Sequence, residues 1–420
     1  MTDAGAAIID ITPTPGLLMS GFAARSLPAK GAHDALTARA VVVGDTAVVE
    51  ADVIGIDAGM SARIRRRCLL PADNVVVAAL HNHGGPVSMA GRLSLVSDPA
   101  YLERLEDACV AAIDKAAAAR RPAKITVGQG SDPGIARNRR HPDGPVDASL
   151  PLLRIRGEDG TMIAVVTAYA CHPVVLAADN LLWTADYPHF VRQSLEEAYP
   201  GAIALFMTGC VGDTNTGHSA HASITLTAAP DRTYEAAKRI GHKIADAALT
   251  AGERPIADNI SARNGTVMLG FERRETEPPE TLEKVWRDEA LTAEPARKNL
   301  LGYWVDWAKR VAPTVPKPLA ARVTVLNWGG VPVVALPGEI FTETALSIRA
   351  ALGTKRPAFL IGFADDNPGY IPPISEFQHG GYEVDEAHRY YGQPMTFAPG
   401  SAEALAACAI KLVAEEERTA

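Results

Sequence analysis

The chain has 420 residues, 47% of them hydrophobic and 21% charged, a globular composition that excludes long disorder, a collagen repeat and a pure coiled coil. A net charge of −8 argues against a nucleic-acid partner, which selects a basic face. Aromatic residues, at 6%, are too few for a large sugar- or base-stacking platform.

The opening stretch MTDAGAAIIDITPTP has neither a basic leader nor a long apolar run, so no signal peptide is expected. The longest apolar runs, such as 40–43 and 163–170, fall well short of the roughly 20 residues of a membrane helix, so no membrane partner is expected. Five cysteines (Cys68, Cys109, Cys171, Cys210 and Cys408) without a C-x-x-C pair read as free thiols of a reducing compartment. The expected location is cytoplasmic, and a homo-oligomer is the default assembly.

Strands are expected over 38–43, 46–51, 74–80, 123–128, 152–156, 162–169, 203–208, 320–328, 331–336 and 358–363, from short apolar runs. Helices are expected over 58–68, 100–119, 187–198, 232–250, 281–310, 341–352 and 401–416, the last capped by Ser401. The alternation predicts an α/β fold of layered mixed β-sheets flanked by helices. No repeat or linker divides the chain, so residues 1–420 read as one domain. Within it, 272–318 has its own texture: charged, with Pro278 and Pro279 and with Trp286, Trp304 and Trp307. It reads as a helical insertion, either a solvated amphipathic hairpin or a cover over the substrate.

The sharpest local pattern is Leu80-His81-Asn82-His83-Gly84-Gly85-Pro86, which follows the apolar run 74–80. If the strand continues, His81 and His83 share a side, because side chains two residues apart point the same way. Such a pair builds half a metal site or is simply two hydrogen-bonded histidines. A second apolar run ends in Cys171-His172-Pro173, and a third in Pro337-Gly338-Glu339. Glu339 then sits at a strand-to-helix junction, as an oxygen ligand, a general base or a helix N-terminal acid. His, His and Glu at three strand ends are more specific together than apart, because catalytic zinc takes three protein ligands and leaves a position for water. Zinc-activated water attacks an amide, ester or lactone carbonyl. There is no G-x-S-x-G elbow, H-E-x-x-H, P-loop or S-x-x-K, and the glycines at 128, 130 and 134 are misplaced for a dinucleotide loop.

Several segments, in order, resemble the neutral/alkaline non-lysosomal ceramidase family, catalytic domain. They are Asp10-Ile11-Thr12-Pro13, Leu80–Pro86, Asn138-Arg139-Arg140, Ala170-Cys171-His172-Pro173, Ala185-Asp186-Tyr187-Pro188, Gly209–Asp213, Leu336–Glu339, Gly369-Tyr370-Ile371-Pro372 and Gly381-Tyr382-Glu383. The resemblance implies a ceramidase-catalytic-domain-like fold and a zinc-dependent hydrolase of amide-type C–N bonds. It implies Zn²⁺ ligands His81, His172, Glu339 and Tyr370. It also implies His83 as proton-transfer partner and Arg139 as the donor to the developing oxyanion. Arg140, Asp186 and Tyr382 complete the expected substrate-binding set. Larger members carry Gly-Asp-x-Ser-Pro-Asn, whereas this chain reads Gly212-Asp213-Thr214-Asn215-Thr216, with Asn215 in place of the serine. That favours activated water over a serine nucleophile and makes Asp213 a loop-fixing residue. The family's added immunoglobulin-like domain is not expected here, so a small soluble N-acyl compound or cyclic amide is expected in place of ceramide. The alternatives are an esterase or lactonase at the same metal, or a binding protein in which the metal is structural.

Overall fold

A computed structural model describes residues 2–94, 96–220, 225–226, 229–353 and 356–419. Its longer strands form two sheets, and short strands make four further two-stranded pairs. The larger contains β1 (Thr2–Asp10), β2 (Thr37–Val43), β3 (Thr46–Ala51), β4 (Val75–Ala79), β5 (Arg121–Gln129), β6 (Pro151–Gly157), β7 (Met162–Tyr169), β8 (Ile203–Thr208) and the short β9 (Arg254–Pro255). Their order is β8-β7-β6-β5-β1-β2-β3-β4, with β9 beside β5. The outer pairs β8/β7 and β3/β4 are parallel and the other pairings antiparallel. The smaller sheet is β10 (Ile260–Leu269), β11 (Leu319–Trp328), β12 (Val331–Ala335) and β13 (Phe359–Ile361) in chain order, antiparallel except for β12/β13.

The valine-rich strands bury both faces. On β2, Val41 and Val43 point into the seam between the sheets, where they join Leu326, Trp328, Val333 and Phe359. Ala38, Ala40 and Val42 point the other way, into a core shared with helices. That period of two is what a doubly covered sheet demands. The helices on this outer face are α1 (Ala58–Arg67), α2 (Pro99–Ala118), α3 (Tyr187–Ala198) and α4 (Tyr234–Leu249), and side chains of Asp57, Asp98, Asp186 and Thr233 cap their N-termini. The smaller sheet is covered on its far side by α7 (Thr342–Leu352) and α8 (Ser401–Thr419). The result is four layers, helix–sheet–sheet–helix, in agreement with the expected α/β class.

Two long strands escape the apolar-run reading. β1 is rich in alanine and glycine, weak strand formers. A Cβ on Gly5 would come within 2.2 Å of Ala116 O, so small residues are what let α2 lie close on this strand. β10 is half-exposed along most of its length and carries Arg263 and Asn264, so no apolar run marks it.

The expected helix 281–310 is two: α5 (Pro279–Ala290) and α6 (Pro295–Val311). Pro295 opens α6 and holds Glu294 extended, at φ −58° and ψ 154°, which breaks the run. The hairpin is not merely solvated. Trp286, Trp304 and Trp307 are buried with Leu300 and Leu301 against Tyr370, Tyr390 and Tyr391. Arg389 lies 4.7 Å from the Trp304 ring centre and 5.1 Å from that of Trp286.

Candidate metal centre

Each expected ligand stands just past a strand. His81 follows β4 by two residues, His172 follows β7 by three, and Glu339 lies in the short strand Glu339–Ile340 beyond β12, paired in parallel with Tyr370–Ile371. The expected strand continuation through His83 is not what joins the histidines. β4 ends at Ala79, and His81 turns out of extended backbone at φ 63°, an unusual conformation for a residue with a Cβ. The turn brings the His81 and His83 rings together at 5.2 Å and 87°, and the His81 ring stacks on Phe363 at 3.9 Å. Phe363 shares the left-handed region at φ 55°.

The imidazoles are oriented from behind. His81 Nδ1 donates to Ile54 O at 2.6 Å, and His172 Nδ1 to Val211 O at 3.1 Å. A carbonyl only accepts, so each Nδ1 carries a proton, which in a neutral ring leaves the lone pair on Nε2. Both Nε2 atoms face Glu339, whose Oε2 is 3.5 Å from His81 Nε2 and 3.6 Å from His172 Nε2. Glu339 is fully buried, and its Oε2 accepts no hydrogen bond. The other oxygen, Oε1, accepts from the Tyr391 hydroxyl. One ring nitrogen each of His81, His83 and His172 fit within 4.8 Å of one another. Burial depresses the pKa of His172 and His83 well below the ordinary imidazole range, and the neighbouring His81 adds to the effect.

Two imidazole Nε2 atoms and a buried, unsatisfied carboxylate oxygen form a donor set suited to a divalent cation. A buried ionised carboxylate without such a partner is costly. His81, His172 and Glu339 therefore fit the metal expected at this place.

Tyr370 stands alongside them. Its hydroxyl accepts from Arg139 Nη2 at 2.9 Å. Burial pushes the Tyr370 phenol well above its ordinary pKa, while Arg139 pulls the other way. Arg139 also donates through Nη2 to Gly212 O and through Nε to Glu383 Oε1, each at 2.9 Å. His83 is the reverse case: both ring nitrogens are buried without a partner. Phe22 packs on its ring at 4.8 Å.

The expected substrate-binding residues are tied up differently. Arg140 gives its guanidinium to Glu376 at 2.7 Å, Glu383 at 2.5 Å and Gly380 O at 2.7 Å, so it braces Glu383, which in turn holds Arg139. Asp186 caps α3. It sits at φ 58° and accepts from the amides of Val175, Leu176 and Tyr187, and burial raises its pKa to about 6. These bonds leave Asp186 an anchor for the loop after His172. Tyr382 meets Tyr370 edge-on at 5.7 Å and so belongs to the wall of the site.

Asp213 accepts from Thr342 N at 2.7 Å and from Asn138 Nδ2 at 2.8 Å, tying the start of α7 to the Arg139 segment. Asn215 folds its own loop through the amides of Gly217 and His218. Tyr391, Phe363, Phe22 and Arg25 were not identified from the sequence as residues contacting the centre. An aromatic in a loop carries no spacing that announces its partner.

Strand-end imidazoles facing a buried carboxylate, on a four-layer α/β body, form a candidate metal centre, and the family to which the chain belongs makes it a hydrolase. Residues 3–220, more than half of the chain, match the N-terminal domain of neutral/alkaline non-lysosomal ceramidase, and the chain belongs to that family. The fold is similar to a structure described as ceramidase complexed with C2, with a TM-score of 0.74 and 17% identity, over 99% of this chain and 75% of the other. The neutral ceramidase of Pseudomonas aeruginosa gives a TM-score of 0.73 at the same identity and coverage. No curated protein sequence matches the chain. Among the described residues, no helix is long and apolar enough to cross a membrane.

Proposed function

We propose that this chain is a zinc-dependent amidohydrolase that cleaves the C–N bond of a small soluble N-acyl compound or cyclic amide. One observation carries the reading: an unsatisfied, buried Glu339 oxygen faced by the Nε2 atoms of His81 and His172. His81, His172 and Glu339 would hold the ion, with Tyr370 as the fourth donor. When bound, zinc polarises a carbonyl and lowers the pKa of water to near neutrality.

The chain's own groups do the rest. His83, neutral and without a partner, takes a proton from the attacking water and returns it to the leaving nitrogen. Arg139, rigidly held by Glu383 and Gly212, presents fixed positive charge to the oxygen that becomes negative. Phe22 and Phe363 exclude water from the imidazoles. The unpartnered nitrogens of His83 favour catalysis over a purely structural metal. Five unpaired cysteines support the proposed cytoplasmic location.

Elemental analysis of wild type and His81→Ala tests the reading, alongside hydrolysis of matched amide, ester and lactone substrates. About one zinc per chain, lost together with amide turnover in the variant, supports it. Absence of metal from both proteins after zinc is offered overturns it, and turnover confined to the ester or lactone moves the chemistry to that bond.

A further inference from the structure

The backbone of His83 is gripped from outside the centre by Arg25. Its Nη2 donates to His83 O and to Ser20 O, both at 2.6 Å, and its Nη1 donates to Asn180 O at 3.2 Å. These acceptors are neutral carbonyls. No carboxylate among the described residues pairs with this guanidinium, and its buried Nε has no partner. Arg25 is 6% exposed, and burial lowers its pKa to about 9. A buried cation without a counter-ion is unfavourable, and an anion bound beside it would offset that cost.

Arg25 also lines a cleft of about 350 Å³. Leu18, Met19, Ala23, Val96 and Tyr303 supply apolar wall, and Lys298 of α6 adds a second cation with no ion pair among the described residues. The helical insertion thus forms one wall of a depression whose other side holds Arg25, next to the proton-transfer residue. Phe22 carries the Arg25 guanidinium 5.0 Å from its ring centre and packs on the His83 ring at 4.8 Å with the planes 60° apart.

We infer that this cleft is a subsite for an anionic group of the substrate, so that the enzyme acts on acidic amides: an N-acyl compound whose amine portion carries a carboxylate or a phosphate. The inference rests on the amidase reading for the bond cleaved, but not for binding of the anion. The apolar wall takes the short body of the substrate, Arg25 takes the charged end, and Lys298 draws it in at the mouth.

Calorimetric binding to the zinc-loaded protein tests this, with N-octanoylglycine, neutral N-octanoylglycinamide and the phosphate ester of N-octanoylethanolamine as probes. Wild type is expected to bind at least one anion about 10-fold more tightly than the neutral probe, as a charge-assisted hydrogen bond predicts. Which anion is preferred identifies carboxylate or phosphate. Arg25→Met should bring the ratio close to one. Should that variant not fold, Lys298→Glu at its exposed position should cut the ratio about 3-fold. Equal affinity of wild type for charged and neutral probes overturns the subsite, as does a ratio untouched by either substitution. Binding preference without hydrolysis of any probe leaves the subsite standing and removes the amidase reading.

Discussion

Tyr391 donates its phenolic hydrogen to one oxygen of Glu339 while the other oxygen faces His81 and His172. The bond fixes the rotation of a buried carboxylate at the centre of the site. Tyr391→Phe keeps the ring and removes only that bond. It should weaken zinc binding about 10-fold, the lower end for loss of a partner behind a ligand, with little change in melting temperature. A competitive chelator titration reads the affinity, and unchanged affinity would show that Glu339 is held by packing alone.

Arg139 spans Glu383, Gly212 and Tyr370 with two nitrogens. Lysine cannot reproduce that fork. Arg139→Lys should lower kcat about 100-fold with a smaller change in KM, as the proposed role of fixed donor to the developing charge requires. Steady-state kinetics at saturating zinc separate the two, and a loss confined to KM would make Arg139 a binding residue.

Gly212 leaves no room for a side chain, since a Cβ would lie 2.7 Å from Glu339 O. Gly212→Ala must move the Glu339 strand or the loop after β8. An expected cost of about 1–3 kcal/mol in stability accompanies weakened metal binding. Denaturant unfolding of the metal-free protein, together with zinc titration, checks both effects. A variant with wild-type affinity would mean that the loop gives way without disturbing Glu339.

Glu275 anchors the start of the insertion, 2.7 Å from His388 Nε2 and 3.2 Å from Arg389. Burial alone would raise its pKa, but the bond to His388 and the charges of His388 and Arg389 bring it down to about 2. A carboxyl depressed on folding contributes stability above its unfolded pKa and loses it as the pH falls through the folded value. The contribution should therefore disappear between about pH 5 and pH 2, and amount to about 1–3 kcal/mol after allowance for solvent screening. Glu275→Gln should lower stability at neutral pH and flatten the acid limb of the stability curve, measured by denaturant unfolding at several pH values. An unchanged limb would place the acid sensitivity elsewhere.

The layered architecture was legible because the strands are short valine-rich runs and the helices keep their apolar spacing. His81, His172 and Glu339 were legible because each sits where an apolar run stops, and such ends gather at one edge of a mixed sheet. β1 and β10 were hidden, one by small residues chosen for close packing and the other by a half-exposed face. The break at Pro295 was overlooked because the helical spacing continues on both sides of it.

Local order along the chain thus determined which residues are chemically capable and at which strand ends they stand. Their actual partnerships were decided by the tertiary structure. Asp186 became a helix cap, Arg140 a brace for Glu383, and Tyr391, from a distant loop, the partner of Glu339. Hydrogen bonds between residues far apart in the chain leave no spacing to read; they exist only once the sheets and the helical insertion bring the groups within about 3 Å.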